Sequence, residues 1–168
     1  MRDLTVRPLT ADDLPSLAAL NDAAVPAVNA LGLDGLTAHV PVCDLALVAE
    51  RDGEPAGFVL ALAPGAGYAS ENYRWFSEHV PGSLYVDRIV VAPGAHGLGI
   101  GRLLYAAVDA RARELGLGVV TCEVNLRPPN PQSLAFHERL GFHRLGEQAT
   151  KGGSVVVALL SREVPAAV

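Results

Sequence analysis

The chain has 168 residues, of which 50% are hydrophobic and 18% are charged, and its formal net charge at pH 7 is -5. This length and composition are typical of one folded domain with a real core, and they exclude a disordered chain. The acidic balance argues against a general nucleic-acid binder, and no apolar leader or membrane-length window is present, so we expect a cytoplasmic protein that binds neither nucleic acid nor membrane.

The first third of the chain predicts a strand followed by two helices. Residues 4–7 are typical of a short strand, and Thr10 is a candidate N-cap for a helix that runs to about Asn21. A second helix is expected over about residues 25–31. Cys43 and Cys122 lie far apart and form no cluster with histidine, so we expect no metal site.

The middle of the chain predicts a hairpin and then an insertion. Strands are expected at residues 44–50 and 55–63, because Asp52 and Gly53 between them form a hairpin turn signal. Residues 65–82 follow as an insertion that is rich in polar and aromatic side chains.

The last half predicts alternating strands and helices. A β-branched strand at residues 83–92 is followed by an amphipathic helix at 101–115 and a buried strand at 118–125. Since one helix joins these two strands, we expect them to be parallel neighbours. A helix that Asn130 caps and two final strands complete the order β-α-α-β-β-β-α-β-α-β-β, a mixed α/β sheet in a single domain over residues 1–168.

The turn "VVAPGAHGLGIGRLL" carries glycines at alternate positions, Gly97, Gly99 and Gly101. It lacks the Lys and Ser/Thr of a P-loop and the sixth glycine of a dinucleotide fingerprint. The first-turn N–H groups of a helix can still bind phosphate where glycines let a ligand approach. The alternative is a tight turn whose glycines are steric only.

Two segments of the sequence resemble the GNAT N-acetyltransferase superfamily. The stretch "HGLGIGRLL" looks like its acyl-CoA motif [Q/R]-x-x-G-x-G/A, with His96 where Gln or Arg is usual. The stretch "NPQSLAFHERLGF" looks like the later family helix N-x-x-A-x-x-F-Y-x-x-x-G-F, with Ser133 in place of Ala and His137 in place of Tyr. The expected fold is therefore that of the superfamily, whose central parallel strands splay apart.

The resemblance implies that acetyl-CoA binds in the gap between these strands. Backbone groups of the first strand would pair with pantetheine, and the glycine turn would hold the pyrophosphate. His96 either contacts phosphate or is an exposed turn residue, in which case Arg102 is the nearest cation. Asn130 is an N-cap or a cofactor contact, and Phe136 packs in the core or on the cofactor. The implied cofactor-binding residues are Ile89, Val90, Val91, His96, Gly97, Leu98, Gly99, Ile100, Gly101, Arg102, Asn130 and Phe136.

The implied reaction is direct attack of an amine on the thioester, which requires a base, an oxyanion donor and a proton for the thiolate. Asp87 is the first candidate for the base and Glu123 the second, although either carboxylate could instead pair with an arginine such as Arg88. His137 is the candidate acid, unless the thiolate leaves without one.

The acceptor would be a small-molecule or peptide amine, and the resemblance also allows a homodimer. Candidate acceptor contacts come mainly from the insertion, where the aromatic side chains could equally serve as packing; they are Tyr68, Asn72, Tyr73, Trp75 and Tyr85. Two rival functions are a non-catalytic acyl-CoA-binding module of the same fold and a nucleotide-dependent enzyme.

Overall fold

The computed structural model describes residues 3–167 of the chain. Its strands are β1 (Leu4–Pro8), β2 (Leu45–Arg51), β3 (Glu54–Leu62), β4 (Ser83–Val91), β5 (Val119–Arg127), β6 (His143–Thr150) and β7 (Val155–Glu163). Its α-helices are α1 (Leu14–Ala23), α2 (Gly32–His39), α3 (Glu71–His79), α4 (Ile100–Glu114) and α5 (Pro131–Arg139). The strands form one mixed sheet in the order β1-β2-β3-β4-β5-β7-β6, so the expected fold class is confirmed.

The parallel pair at the centre of this sheet separates after one short stretch. β4 and β5 pair only from Ser83 with Val119 to Tyr85 with Thr121, and all other neighbouring strands are antiparallel. β4 continues to Val91 and β5 to Arg127, so a gap opens between their carboxyl ends.

Helices cover both faces of the sheet because side chains alternate along its strands. On β3, Phe58 and Leu60 are buried with Leu17 of α1 and Leu36 of α2. The neighbouring Val59 is buried on the opposite face, in a cluster that includes α4 residues. The gap between β4 and β5 therefore lies between two packed layers.

The expected second helix over residues 25–31 was wrong. These residues form a turn-rich loop, and the second helix is α2, which begins at Gly32. Pro26 cannot donate a backbone hydrogen bond, and the Asp22 carboxylate accepts hydrogen bonds from the backbone N–H groups of Leu31 and Gly32. A local side-chain interaction thus competes successfully with helical hydrogen bonding.

The insertion contains a helix that the predicted element order lacked. The Ser70 hydroxyl accepts a hydrogen bond from the Tyr73 N–H and caps α3, whose Tyr73 and Phe76 side chains are buried. Among residues 3–167, no helix is long and apolar enough to cross a membrane.

Candidate active site

Two cavities meet in the gap between β4 and β5. The turn cavity, of about 530 Å³, is lined by the glycine turn, the end of β4 and one side of α5. The polar cavity, of about 550 Å³, is lined by residues of β4, β5, the start of α3 and the β6–β7 loop. Both cavities are lined by the same six residues, which mark the place where the cavities meet: Ala27, Val28, Ile89, Asn130, Ser133 and His137.

The glycines of the turn serve two different physical purposes. Gly97 and Gly99 have φ values of 78° and 86°, in the left-handed region that favours glycine. Gly101 is helical, but a Cβ atom there would lie 2.7 Å from Cζ of Phe136. Gly97 and Gly99 therefore shape the turn, whereas Gly101 lets α4 approach the Phe136 ring. Leu98, between the first two, is exposed and its side chain does not line the turn cavity.

His96 lines the turn cavity, but both of its ring nitrogens contact protein groups. Nε2 lies 3.0 Å from the Val91 carbonyl oxygen, which can only accept, so Nε2 donates. Nδ1 then accepts from the Gln132 amide at 3.1 Å. His96 thus links the end of β4 to the first turn of α5, and this arrangement leaves it no donor for a phosphate.

Two arginines in the turn cavity have no side-chain partner within the described residues 3–167. Arg102 and Arg139 line it, and neither makes an ion pair or side-chain hydrogen bond with any residue between 3 and 167. Sequence reasoning missed Arg139 because it occupies an unspecified position of the second family motif. Together the two guanidinium groups supply the positive charge that His96 does not.

The open edge of β4 offers backbone groups to the gap. Ala92 N–H donates to Ala56 of β3, and strand alternation then directs the N–H and C=O of Ile89 and Val91 toward the gap. The Val91 carbonyl is taken by His96, which leaves the Val91 N–H and both groups of Ile89. Val90 lines the turn cavity, but alternation directs its backbone groups to β3.

Asp87 lies at a bulge in β4 and is fully engaged by its neighbours. Arg88 pairs with Leu60 and Val86 with Ala61, so Asp87 is the extra residue and the regular alternation of side chains along β4 breaks there. Its carboxylate, 4% exposed, accepts hydrogen bonds from His39 Nε2 at 2.9 Å, Tyr68 Oη at 2.9 Å and Arg88 Nε at 2.8 Å.

These contacts decide the protonation state of Asp87. Burial by itself raises its pKa, but the hydrogen bond from His39 and the charge and hydrogen bond of Arg88 outweigh it, so the pKa is lowered. A carboxylate with a lowered pKa and three donors is a weak proton acceptor. The geometry therefore favours the arginine-paired alternative for Asp87.

Glu123 has the opposite electrostatic environment. Burial and the nearby charge of Asp87 raise its pKa to about 8, although the hydrogen bond from Tyr85 partly offsets them. Tyr85 Oη donates to Oε1 and Oε2 at 2.8 and 2.7 Å, and burial raises the pKa of Tyr85 so that this donor stays protonated. Glu123 lines the polar cavity and is thus better suited than Asp87 to exchange protons near neutral pH.

His137 is buried between two helices. Its Nδ1 lies 2.8 Å from the Ser133 carbonyl oxygen and therefore donates, while Nε2 accepts from Tyr105 Oη at 2.7 Å. Burial lowers the pKa of His137, which keeps the ring neutral at pH 7. With its one ring proton bound to a carbonyl, His137 is poorly placed to act as an acid. Tyr105, which lines the polar cavity and binds His137, was not singled out from the sequence because α4 resembles an ordinary core helix.

The candidate acceptor contacts separate into two groups. Tyr68 and Asn72 line the polar cavity. Tyr73, Trp75 and Tyr85 do not, contrary to expectation: Tyr73 and Tyr85 are buried in an aromatic cluster with Phe76, and Trp75 stacks on His79. Asn130 caps α5 by accepting from Ser133 N–H and also lines both cavities. Among residues 3–167, no group of His, Cys, Asp and Glu side chains could hold a metal ion.

A comparison with protein-family models finds that residues 20–142 match the model described as "Acetyltransferase (GNAT) family". Among curated proteins, mycothiol acetyltransferase of Rhodococcus erythropolis is 34% identical over an alignment of 98 residues, and the match covers 54% of this chain and 31% of that protein. The chain thus spans about a third of that relative's length.

Solved structures with this fold match nearly the whole chain. Ribosomal-protein-alanine N-acetyltransferase from Brucella melitensis has a TM-score of 0.71 at 26% identity, over 95% of this chain and 99% of that one. A putative acetyltransferase from Salmonella typhimurium, solved with its cofactor acetyl-CoA, has a TM-score of 0.70 at 19% identity, over 96% and 94% of the two chains.

Proposed function

The chain belongs to the acetyltransferase (GNAT) family, and we propose that it moves the acetyl group of acetyl-CoA to a primary amine of a small molecule or peptide. The observation that carries this proposal is the meeting of two cavities in the β4–β5 gap, one with a glycine turn and free arginines, the other with a carboxylate of raised pKa. We also propose that residues 1–168 form one domain and that the protein is cytoplasmic.

The residues of the turn cavity fit acetyl-CoA. The N–H groups of the first turn of α4 would bind the pyrophosphate, because Gly97 and Gly99 leave them accessible. Arg102 and Arg139 would add charge-assisted contacts to the phosphates. The Ile89 carbonyl and the Val91 N–H would bind the pantetheine amides. Acetyl-CoA itself supplies the acetyl group as an activated thioester.

Glu123 is the proposed general base. An alkyl ammonium with a pKa of about 10 must lose a proton before the nitrogen can attack, and a carboxylate with a pKa near 8 is well matched to accept it close to neutral pH. Tyr85 orients both carboxylate oxygens. Asp87 then acts indirectly, since its charge contributes to the raised pKa of Glu123.

The Ile89 N–H is the proposed oxyanion donor. Ile89 lines both cavities, and its backbone faces the gap where the thioester and the amine would meet. A preoriented N–H at this point would stabilise the negative charge that develops on the carbonyl oxygen. The state of His137 favours departure of the thiolate without a dedicated acid, with its proton coming from the attacking nitrogen or from solvent.

Above a pH of about 8, where Glu123 is ionised, the charge of the polar cavity suits a cationic acceptor. Asp87 and Arg88 neutralise each other, and Glu123 has no cationic partner among the described residues. The names of similar proteins include a mycothiol acetyltransferase and a ribosomal-protein-alanine N-acetyltransferase, so both small-molecule and peptide amines belong in the test.

Two measurements test the proposal. First, acetyl-CoA at millimolar concentration should raise the melting temperature, whereas ATP and NAD should not. Second, a panel of amino acids, amino sugars, polyamines and N-terminal peptides should be assayed for free-thiol release, with the acetylated product verified by mass. Acetyl-CoA binding without transfer to any amine would favour the non-catalytic module, and no melting shift with acetyl-CoA would overturn the proposal.

A further inference from the structure

Residues 24–31, here called the gap loop, lie across the opening between β4 and β5. Ala24, Ala27 and Val28 line the turn cavity, and the stretch from Val25 to Ala30 lines the polar cavity. The loop is therefore a shared wall of both cavities.

The two ends of the gap loop are joined through α1. The Asp22 carboxylate accepts from Leu31 N–H at 3.0 Å and Gly32 N–H at 3.2 Å. Asn21 Nδ2 donates to the Asn29 carbonyl at 3.1 Å, and Ala27 N–H donates to the Ala24 carbonyl at 2.9 Å. These bonds close the loop on itself, but they do not attach it to the sheet.

Arg88 attaches the loop to β4. Its guanidinium, 3% exposed, donates to the Asn29 carbonyl at 3.2 Å, to Asn29 Oδ1 at 2.8 Å and to Asn21 Oδ1 at 2.9 Å. Asp87 accepts from its Nε and balances its charge. The Arg88 guanidinium thus makes four hydrogen bonds to protein groups, and three of these bind the gap loop or α1 beside it.

Asn125 attaches the loop to β5. Its Nδ2 donates to the Pro26 carbonyl at 2.8 Å, near the tip of the loop. Asn125 is paired in the sheet with Val157 of β7, so its position is fixed by strand pairing and not by the loop. The gap loop is consequently held from both of the strands that separate beneath it.

We propose that Arg88 and Asn125 are positioning residues, which hold the gap loop as a partition that keeps water from the thioester and confines the acceptor amine to the polar cavity. Two hydrogen bonds from Arg88 of β4 to Asn29 and one from Asn125 of β5 to Pro26 fix the loop where strand pairing no longer closes the sheet. Only the role of the loop as a partition rests on the proposed transferase function. The attachment of the loop to the strands can be tested without any ligand.

Asn125→Ala tests the attachment, because it removes the bond at the tip and leaves the buried Arg88 network intact. In hydrogen exchange of the full-length protein without ligand, the amides of Ala27, Leu31 and Gly32 should exchange roughly threefold to tenfold faster, the effect of one lost hydrogen bond. The matched control is Arg127→Ala on the same strand, whose guanidinium donates to Gly153. It should leave exchange in the gap loop unchanged.

The partition role is tested by acetyl-CoA hydrolysis without an amine. Water attacks the thioester carbonyl, the C–S bond breaks, and acetate and the CoA thiol form. Asn125→Ala should raise thiol release about threefold or more, while the Kd for acetyl-CoA changes less than about twofold, because one hydrogen bond outside the turn cavity is lost.

The outcomes separate the two proposals. Unchanged exchange in Asn125→Ala overturns the attachment, and faster exchange with unchanged hydrolysis overturns the partition. If the unsubstituted protein does not bind acetyl-CoA, the transferase function fails, while the exchange measurement still decides whether Asn125 holds the loop.

Discussion

The turn cavity and the polar cavity are built on different principles. The turn cavity relies on backbone geometry: two glycines in the left-handed region, the first turn of α4 and the open edge of β4. The polar cavity relies on side chains from elements distant in the sequence, such as Asp87 with His39 and Glu123 with Tyr85.

This difference explains why the two cavities tolerate change differently. Backbone N–H groups bind a diphosphate in the same way whatever the neighbouring side chains are, so a departure such as His96 need not abolish binding. A buried carboxylate depends on each neighbour, because its pKa reflects the sum of burial, charges and hydrogen bonds. Substitutions should therefore alter catalysis sharply in the polar cavity and affinity gradually in the turn cavity.

The largest expected effect is that of Glu123→Gln. Loss of the base should lower kcat roughly 10²-fold to 10⁴-fold with little change in acetyl-CoA affinity.

In the unsubstituted protein, activity should fall as pH decreases through about 8, because protonation removes the base. Tyr85→Phe removes a hydrogen-bond donor to the Glu123 carboxylate. The pKa of Glu123 should then rise further, and the fall in activity should begin at a higher pH.

The matched control is Asp87→Asn at the neighbouring carboxylate. It should destabilise the fold, because Arg88 loses its buried partner, and it should move the loss of activity to lower pH, because the charge of Asp87 no longer raises the pKa of Glu123. Steady-state pH profiles decide the assignment. If the loss of activity toward low pH persists in Glu123→Gln but is absent in Asp87→Asn, the base is Asp87.

The next effect is expected at Gly101. The Cβ atom of Gly101→Ala would lie 2.7 Å from Phe136 Cζ and push the ring into the turn cavity. Acetyl-CoA affinity should fall about tenfold or more, as measured by calorimetry. Gly101→Ala combined with Phe136→Leu should recover part of this loss, since the smaller side chain gives the methyl group room. No recovery would mean that the Phe136 ring is not the obstacle.

A smaller effect is expected for the free arginines. Arg102→Ala and Arg139→Ala should each weaken acetyl-CoA binding about threefold to tenfold at low salt, and the loss should shrink at 0.5 M salt because ions screen charge pairs, roughly as the Debye length shortens. Arg144→Ala, a surface arginine on β6, is the control and should bind normally. A loss of equal size at Arg144 would indicate a general charge effect.

The smallest effect is expected at His96. His96→Gln keeps a donor for the Val91 carbonyl, and neither ring nitrogen of His96 is free for phosphate. Acetyl-CoA affinity should change less than about twofold, again by calorimetry. A tenfold loss of affinity would instead show that His96 rearranges to bind phosphate. The turn cavity would then depend on side chains as the polar cavity does, which would contradict the comparison above.

Much of the fold and of the turn cavity could be predicted because the signals are local. The strands before and after α4, the cap at Asn130 and the glycine spacing each depend on a few consecutive residues. The loop at residues 25–31 was mispredicted because Asp22 binds Leu31 and Gly32 across the loop, and α3 was missed in a segment rich in polar residues.

The sequence by itself therefore determined the family, the order of most elements and the glycine turn, since glycine permits the left-handed backbone conformation that such a turn requires. Only the tertiary structure decided which carboxylate is the better base, what His96 and His137 contact, and that Arg139 lies in the turn cavity. Those properties depend on burial and on partners far away in the chain: Tyr85 and Glu123 are 38 positions apart, and His39 and Asp87 are 48 apart. A pKa or a hydrogen-bond partner belongs to an assembled environment, which no short stretch of residues specifies.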